Sequence, residues 1–178
     1  MSRWRPGDRR PDRASMLRVN QAGEYGATRI YAGQLAVLRA NCAEAKLIAR
    51  MAAQEERHLN RFNHLIAERR VRPTALQPFW NVAGFALGAA TALMSEKAAL
   101  ACTDAVETEI DRHYSSQLKQ LGEEDPVLAA DIAEFQADER EHRDTARQAG
   151  AANAVGYPLL TAAIRAGCRV AIELSKRV

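Results

Sequence analysis

Two short stretches carry the residue types that hold divalent cations: Gln54-Glu55-Glu56-Arg57-His58 and Asp138-Glu139-Arg140-Glu141-His142. In each, a glutamate precedes a histidine by three positions, Glu55 before His58 and Glu139 before His142. Residues three apart on a helix share a face, so each pair can aim a carboxylate and an imidazole at one spot. Each pair also has a glutamate far upstream: Glu24 lies 31 positions before Glu55, and Glu107 lies 32 before Glu139. In an antiparallel helix hairpin, two residues equally far from the turn sit at one height. The midpoint of the first interval falls between Arg39 and Ala40, beside the expected turn at Asn41-Cys42. The midpoint of the second is Glu123, inside Leu121-Gly122-Glu123-Glu124-Asp125-Pro126, the clearest turn signal in the chain. Two such hairpins bring together four glutamates and two histidines, the ligand pattern already known from di-iron and di-manganese carboxylate bundles.

All six fall on the apolar stripes of their helices, where an unpartnered carboxylate costs several kcal/mol. Two divalent cations would balance the four carboxylates. Carboxylates with imidazoles suit iron or manganese rather than soft metals. Glu56, Glu109 and Glu141 fall off the stripes and are expected to be solvated; His64 has no glutamate three before it and reads as a surface or packing residue. Tyr31 and Tyr114 each follow a stripe glutamate by seven, two turns along the same face. Packing is their plain role. Beside an oxygen-activating centre a tyrosine can also carry protons or electrons, a role assigned first to Tyr114. His113, next to Tyr114, is expected to hydrogen-bond a ligand carboxylate and steady it.

The elements that must position these residues follow from periodicity and caps. Helices are predicted over 16–40, 41–70, 95–121 and 125–149, with a fifth from Pro158. Asn41, three before Glu44, reads as a capping box opening the second. Gly122 stops the third, and Asp125 with Pro126 opens the fourth. Residues 71–95 form a crossover between the hairpins. Within it, 79–94 is a run of 16 uncharged residues, short of the roughly 20 a membrane span needs. It suits either a helix buried on the bundle or a segment dipping into a bilayer surface. In the fifth helix Leu160, Ile164, Val170 and Leu174 face one way, and Arg165, Arg169 and Lys176 mostly another. That pattern fits packing on the bundle, and also a membrane surface.

Apolar residues make up 47% and aromatics only 6%, which with many alanines favours packed helices over a sheet. The net charge of +3 resides in residues 1–15, with five arginines against two aspartates, and the remainder balances. Those residues are expected to form a flexible basic tail before a single domain over 16–178. No basic face for nucleic acid emerges. Cys42, Cys102 and Cys168 are scattered and odd in number, which argues for a reducing compartment and against a thiolate metal site. Neither a secretory signal nor a transit peptide is evident.

Several stretches resemble a known family. Arg18-Val19-Asn20-Gln21-Ala22-Gly23-Glu24-Tyr25-Gly26-Ala27, followed by Arg29-Ile30-Tyr31-Ala32-Gly33-Gln34, resembles the first helix of the demethoxyubiquinone hydroxylases of ubiquinone biosynthesis. Gln54-Glu55 through His58-Leu59 with Phe62-Asn63 resembles their second. Ala101-Cys102-Thr103, Ala105-Val106-Glu107 and His113-Tyr114 resemble their third. Glu139 to His142 and Ala166-Gly167-Cys168-Arg169-Val170-Ala171-Ile172 resemble the remainder, so the likeness runs from Met16 to the C-terminus.

The resemblance implies an all-α, ferritin-like four-helix bundle with a long helical crossover and an extra C-terminal helix. It implies that Glu24, Glu55, His58, Glu107, Glu139 and His142 bind two iron ions (Fe²⁺). The implied enzyme is a monooxygenase that hydroxylates the ring of a demethoxyubiquinone, in the penultimate step to ubiquinone, with O₂ and electrons from NADH. Its implied partners are a polyprenyl quinone, a membrane surface, a helper protein of quinone biosynthesis and further copies of the chain. Its implied location is peripheral, on the cytoplasmic face of a bacterial inner membrane or on the mitochondrial inner membrane. Two rivals share parts of the pattern: a ferritin-like iron store or peroxide scavenger, and a non-enzymatic quinone-carrying scaffold.

Overall fold

Asp12 caps the first helix of the computed structural model, which describes residues 12–177: its Oδ1 accepts from the Ser15 amide at 3.0 Å, and α1 runs Arg13–Val37. The tail expected over 1–15 is therefore shortened at its end, because an aspartate there satisfies the first turn. Residues 1–11 lie outside the described chain. α2 spans Ala43–Glu68. Its cap is not Asn41: the Cys42 sulfur accepts from the Ala45 amide at 3.3 Å, and Glu44 leaves the expected capping box to meet Lys97 Nζ at 2.9 Å. The helix ends before Arg70, which takes a left-handed φ of 54°.

α3, Gln77–Met94, is the crossover, and α4 spans Glu96–Leu121. Ser95 caps α4 through the Ala98 amide at 3.0 Å, and Gly122 ends it at a φ of 51°. α5, Pro126–Gln148, starts from Asp125, which accepts from the Leu128 amide and also pairs with Arg69 at the end of α2. A short 3₁₀ turn, Ala151–Asn153, leads to α6, Tyr157–Ser175.

The hairpins α1/α2 and α4/α5 make the four-helix bundle, and no strand occurs among the described residues. Its core is divided. Leu17, Phe62, Leu65, Leu121, Leu128 and Ile132 fill one end, and Leu38, Ile48, Met51, Leu100 and Ala146 fill the other. The charged cluster lies at the heights between them.

α3 packs against α1 and α6 against α4, as two flanking helices. The α1/α3 contact is nearly backbone to backbone. A Cβ on Gly88 would lie 1.9 Å from the Ile30 carbonyl oxygen, and one on Gly33 would lie 2.1 Å from that of Phe85. Only glycine permits this approach. α3 buries Gly84, Gly88, Thr91 and Ala92 and leaves Phe79, Val82, Leu93 and Met94 more than half exposed. Among the described residues no helix is long and apolar enough to cross a membrane.

Glu109, expected in solvent, is buried. α6 covers it, and Arg165 Nε at 2.7 Å and Arg169 Nη1 at 2.9 Å both donate to its Oε1. The basic residues of α6 that suggested a membrane surface are therefore turned partly inward. Tyr157 and Arg147 hold the buried Asp104 in the same way near the start of α6. Glu56 and Glu141 are exposed, as their place off the stripes predicts, and so is His64, which read as a surface or packing residue.

Candidate metal centre

The stripes of α1 and α4 each bring one glutamate to the middle of the bundle and those of α2 and α5 each bring a glutamate and a histidine, and all six are buried. Two groups of four form there. Glu24, Glu55, His58 and Glu139 offer ligand atoms all within 4.8 Å of one another, and so do Glu55, Glu107, Glu139 and His142. Glu55 and Glu139 belong to both groups, so the geometry is two adjoining sites with two shared carboxylates. His58 Nδ1 lies 3.1 Å from Glu139 and 3.7 Å from Glu24; His142 Nδ1 lies 3.1 Å from Glu55 and 3.2 Å from Glu139.

The electrostatics of the cluster favour a positive counter-charge. Burial, then repulsion from Glu139, Glu24 and Glu107, drives the Glu55 carboxyl well above the usual range. Burial and Glu139 do the same to Glu107, and burial raises Glu139. Burial also pushes on Glu24, but hydrogen bonds from the His58 side and from Tyr114 outweigh it and bring it below normal. Against its own desolvation, His58 is raised to about 10 by Glu139 and Glu24. Protons are a poor counter-charge here, because both Glu55 oxygens, Glu24 Oε2 and Glu107 Oε2 have no hydrogen-bond partner. Orphaned buried acceptors cost about 1–3 kcal/mol each. Divalent cations at the two groups would engage all four oxygens, displace the protons and free both Nδ1 lone pairs. The donor set, oxygen with nitrogen and no sulfur, fits hard or borderline metals such as iron or manganese.

Around the cluster lie two residues that spacing alone did not single out, Asp138 and Gln54. His58 Nε2 meets Asp138 Oδ2 at 3.0 Å, and His142 Nε2 meets Gln54 Oε1 at 2.9 Å. Asp138 and Gln54 each immediately precede the motif glutamate of the opposite helix, a signal visible only once the helices are known to face each other. Tyr31 donates to Glu107 Oε1 at 2.8 Å, and Tyr114 donates to Glu24. Both tyrosines thus touch cluster carboxylates. His113 does not: its Nε2 lies 2.7 Å from Gln117 Nε2, and Gln117 exchanges hydrogen bonds with Asn20. His113 points outward toward α6, because it sits one position off the stripe that carries Glu107 and Tyr114.

On the other side of α1 and α4 lies an apolar cleft of about 510 Å³, with α3 and α6 as its other walls. Ala22, Gly26 and Ile30 of α1 and Val106 and Ile110 of α4 line it, so its walls flank the backbone that carries Glu24 and Glu107.

The family model described as "Ubiquinone biosynthesis protein COQ7" matches residues 12–175. The chain belongs to the COQ7 family. It is 52% identical over 177 residues to the 3-demethoxyubiquinol 3-hydroxylase of Rhodospirillum rubrum, covering 97% of this chain and 82% of that one. It is 50% identical to the NADPH-dependent 3-demethoxyubiquinone 3-hydroxylase, mitochondrial, of Homo sapiens, over 92% of this chain and 76% of the relative. The 5-demethoxyubiquinone hydroxylase, mitochondrial, of Saccharomyces cerevisiae is 43% identical over 92% of this chain and 77% of its own length. COQ7 membership and the all-α bundle agree with the resemblance read from the motifs.

Proposed function

We propose that this chain hydroxylates the ring of a demethoxyubiquinol, or its quinone, in ubiquinone biosynthesis, as a di-iron monooxygenase. The observation that carries the reading is the pair of four-residue groups sharing Glu55 and Glu139, in a chain whose relatives are named hydroxylases. The storage and scaffold readings lose their footing, since neither accounts for that kinship. Glu24, Glu55, His58 and Glu139 would hold one iron, and Glu55, Glu107, Glu139 and His142 the other. When bound, the pair supplies reductive activation of O₂, chemistry that no side chain here can perform.

The chain's own part is positioning. The shared carboxylates fix the separation of the sites. Tyr31 and Tyr114 hold Glu107 and Glu24 in place and carry protons beside the centre. Phe135 stacks on His58, with ring centroids 4.1 Å apart, and keeps water from that edge. The cleft takes the quinone ring and the first part of its prenyl chain: it is apolar, and it borders the two helices that bear terminal ligands. The exposed apolar residues of α3, with Leu159 and Val170 of α6, lie against the membrane that holds the quinone pool. Electrons come from a reduced nicotinamide nucleotide. The family resemblance implied NADH, while the human relative's name specifies NADPH.

The test is turnover of iron-loaded protein with demethoxyubiquinone in detergent, either nucleotide and isotope-labelled O₂, analysed by mass spectrometry. A hydroxylated product carrying one labelled oxygen is expected. Folded, iron-bound protein that yields no product with either nucleotide would overturn the reading.

A further inference from the structure

The two halves of the cluster are related by a near-symmetry. Glu24 matches Glu107, Tyr31 matches Tyr114, Glu55 matches Glu139 and His58 matches His142, each pair 83 or 84 positions apart. The contacts obey it too: each tyrosine reaches the opposite glutamate, and each histidine's Nε2 reaches the residue before the opposite motif glutamate. The symmetry breaks at one contact on each side. His58 meets a carboxylate, Asp138, whereas His142 meets a neutral amide oxygen, Gln54. Arg57 also pairs with Asp138 and pins it against His58.

We infer that the two metal positions are inequivalent, and that Asp138 and Gln54 set the difference as positioning residues. The inference rests on the two-metal reading above. A carboxylate that accepts the Nε2 proton makes the imidazole a better donor at Nδ1, and it neutralises part of the charge brought by a cation. An amide oxygen orients the ring but adds no charge. Both Nδ1 atoms face the shared carboxylates, and the directly coordinating residues are the same in type on the two sides. The outer partners are therefore the largest chemical difference between them. The position that includes Glu24 and His58 binds its ion more tightly and fills first. The one that includes Glu107 and His142 binds more weakly and exchanges faster.

The test is a titration of the full-length chain with cobalt(II), followed by its visible absorption and by calorimetry. Cobalt takes the same nitrogen and oxygen ligands as iron and needs no turnover to be seen. The wild type should fill in two resolved steps. Asp138→Asn keeps the shape and should weaken the tighter step about ten- to a hundredfold while leaving the other in place. Gln54→Glu should strengthen the weaker step, a gain that a merely structural role would not produce. Two ions bound in one unresolved step would overturn the inference and leave the two-metal reading standing. So would an Asp138→Asn protein with both steps unchanged, or with both weakened alike. A wild-type chain that binds no cobalt and no iron would overturn both.

Discussion

Tyr31 on α1 donates its phenolic hydrogen across the bundle to Glu107 on α4, at 2.8 Å. Both groups are buried, and the tyrosine's pKa is raised well above normal by burial and by Glu107. Replacing Tyr31 with Phe removes the donor and leaves an acceptor in the core without its partner. That should cost about 1–3 kcal/mol, read as a lower denaturation midpoint of the metal-depleted protein. Metal stoichiometry should hold, because Tyr31 is no ligand. A Y31F protein as stable as wild type would mean that the contact contributes nothing.

Sharing predicts a hierarchy among the ligands. Glu139→Gln and Glu55→Gln each replace a charged carboxylate common to both sites with a neutral amide and should abolish binding of both metals and all turnover. Glu24→Gln and Glu107→Gln each touch one site and should leave one metal bound. Metal analysis of the four purified variants distinguishes these patterns. One retained metal in Glu139→Gln would sink the shared role.

Glycines on α1 and α3 make opposite predictions. A Cβ on Gly26 would meet nothing within 4 Å, because Gly26 opens onto the apolar cleft. Gly26→Leu should fill that space, raise helix propensity by about 1 kcal/mol and slow quinone turnover at least tenfold with metal content unchanged. Gly88→Ala instead forces α3 off the Ile30 carbonyl and should cost about 1–3 kcal/mol or more through overpacking. Thermal denaturation with steady-state kinetics separates the two. Unimpaired turnover in G26L would place the ring elsewhere.

His113 predicts a pH dependence of stability. Burial, with the Lys176 charge adding to it, lowers its pKa from 6.5 to about 4. Below 6.5 the unfolded chain takes up a proton that the folded chain refuses, so stability falls as the pH drops from 6.5 to about 4 and is fully present above that window. The loss attributable to His113 is about 2–3 kcal/mol, discounted for its partial exposure. Urea unfolding at about pH 7.5 and about pH 4.5 should show that much smaller a drop in His113→Asn than in wild type. Equal drops would clear His113 of the effect.

The six cluster residues were legible because a Glu/His cluster in a helix bundle obeys local rules: three-residue spacing puts two such side chains on one face, and turn position sets the height of their partners. Caps are local too, yet Asn41 lost to Cys42, and Asp12 started α1 early. Several side chains within hydrogen-bond reach of an amide compete there, and packing chooses among them.

By itself the sequence determined the two hairpins, the six residues at their centre and the kinship. Each depends on spacing along one helix or across one turn. Tertiary structure alone decided what lies across a gap between helices. It buried Glu109 under two arginines of α6, which the off-stripe position of that glutamate hid. It turned His113 away from the carboxylates and set Tyr114 on Glu24. It seated glycines of α1 and α3 backbone to backbone, and it gave one histidine an aspartate and the other a glutamine. Such contacts join residues about 50 to 90 positions apart, set by how the helices rotate and cross, and no periodicity within a single helix encodes them.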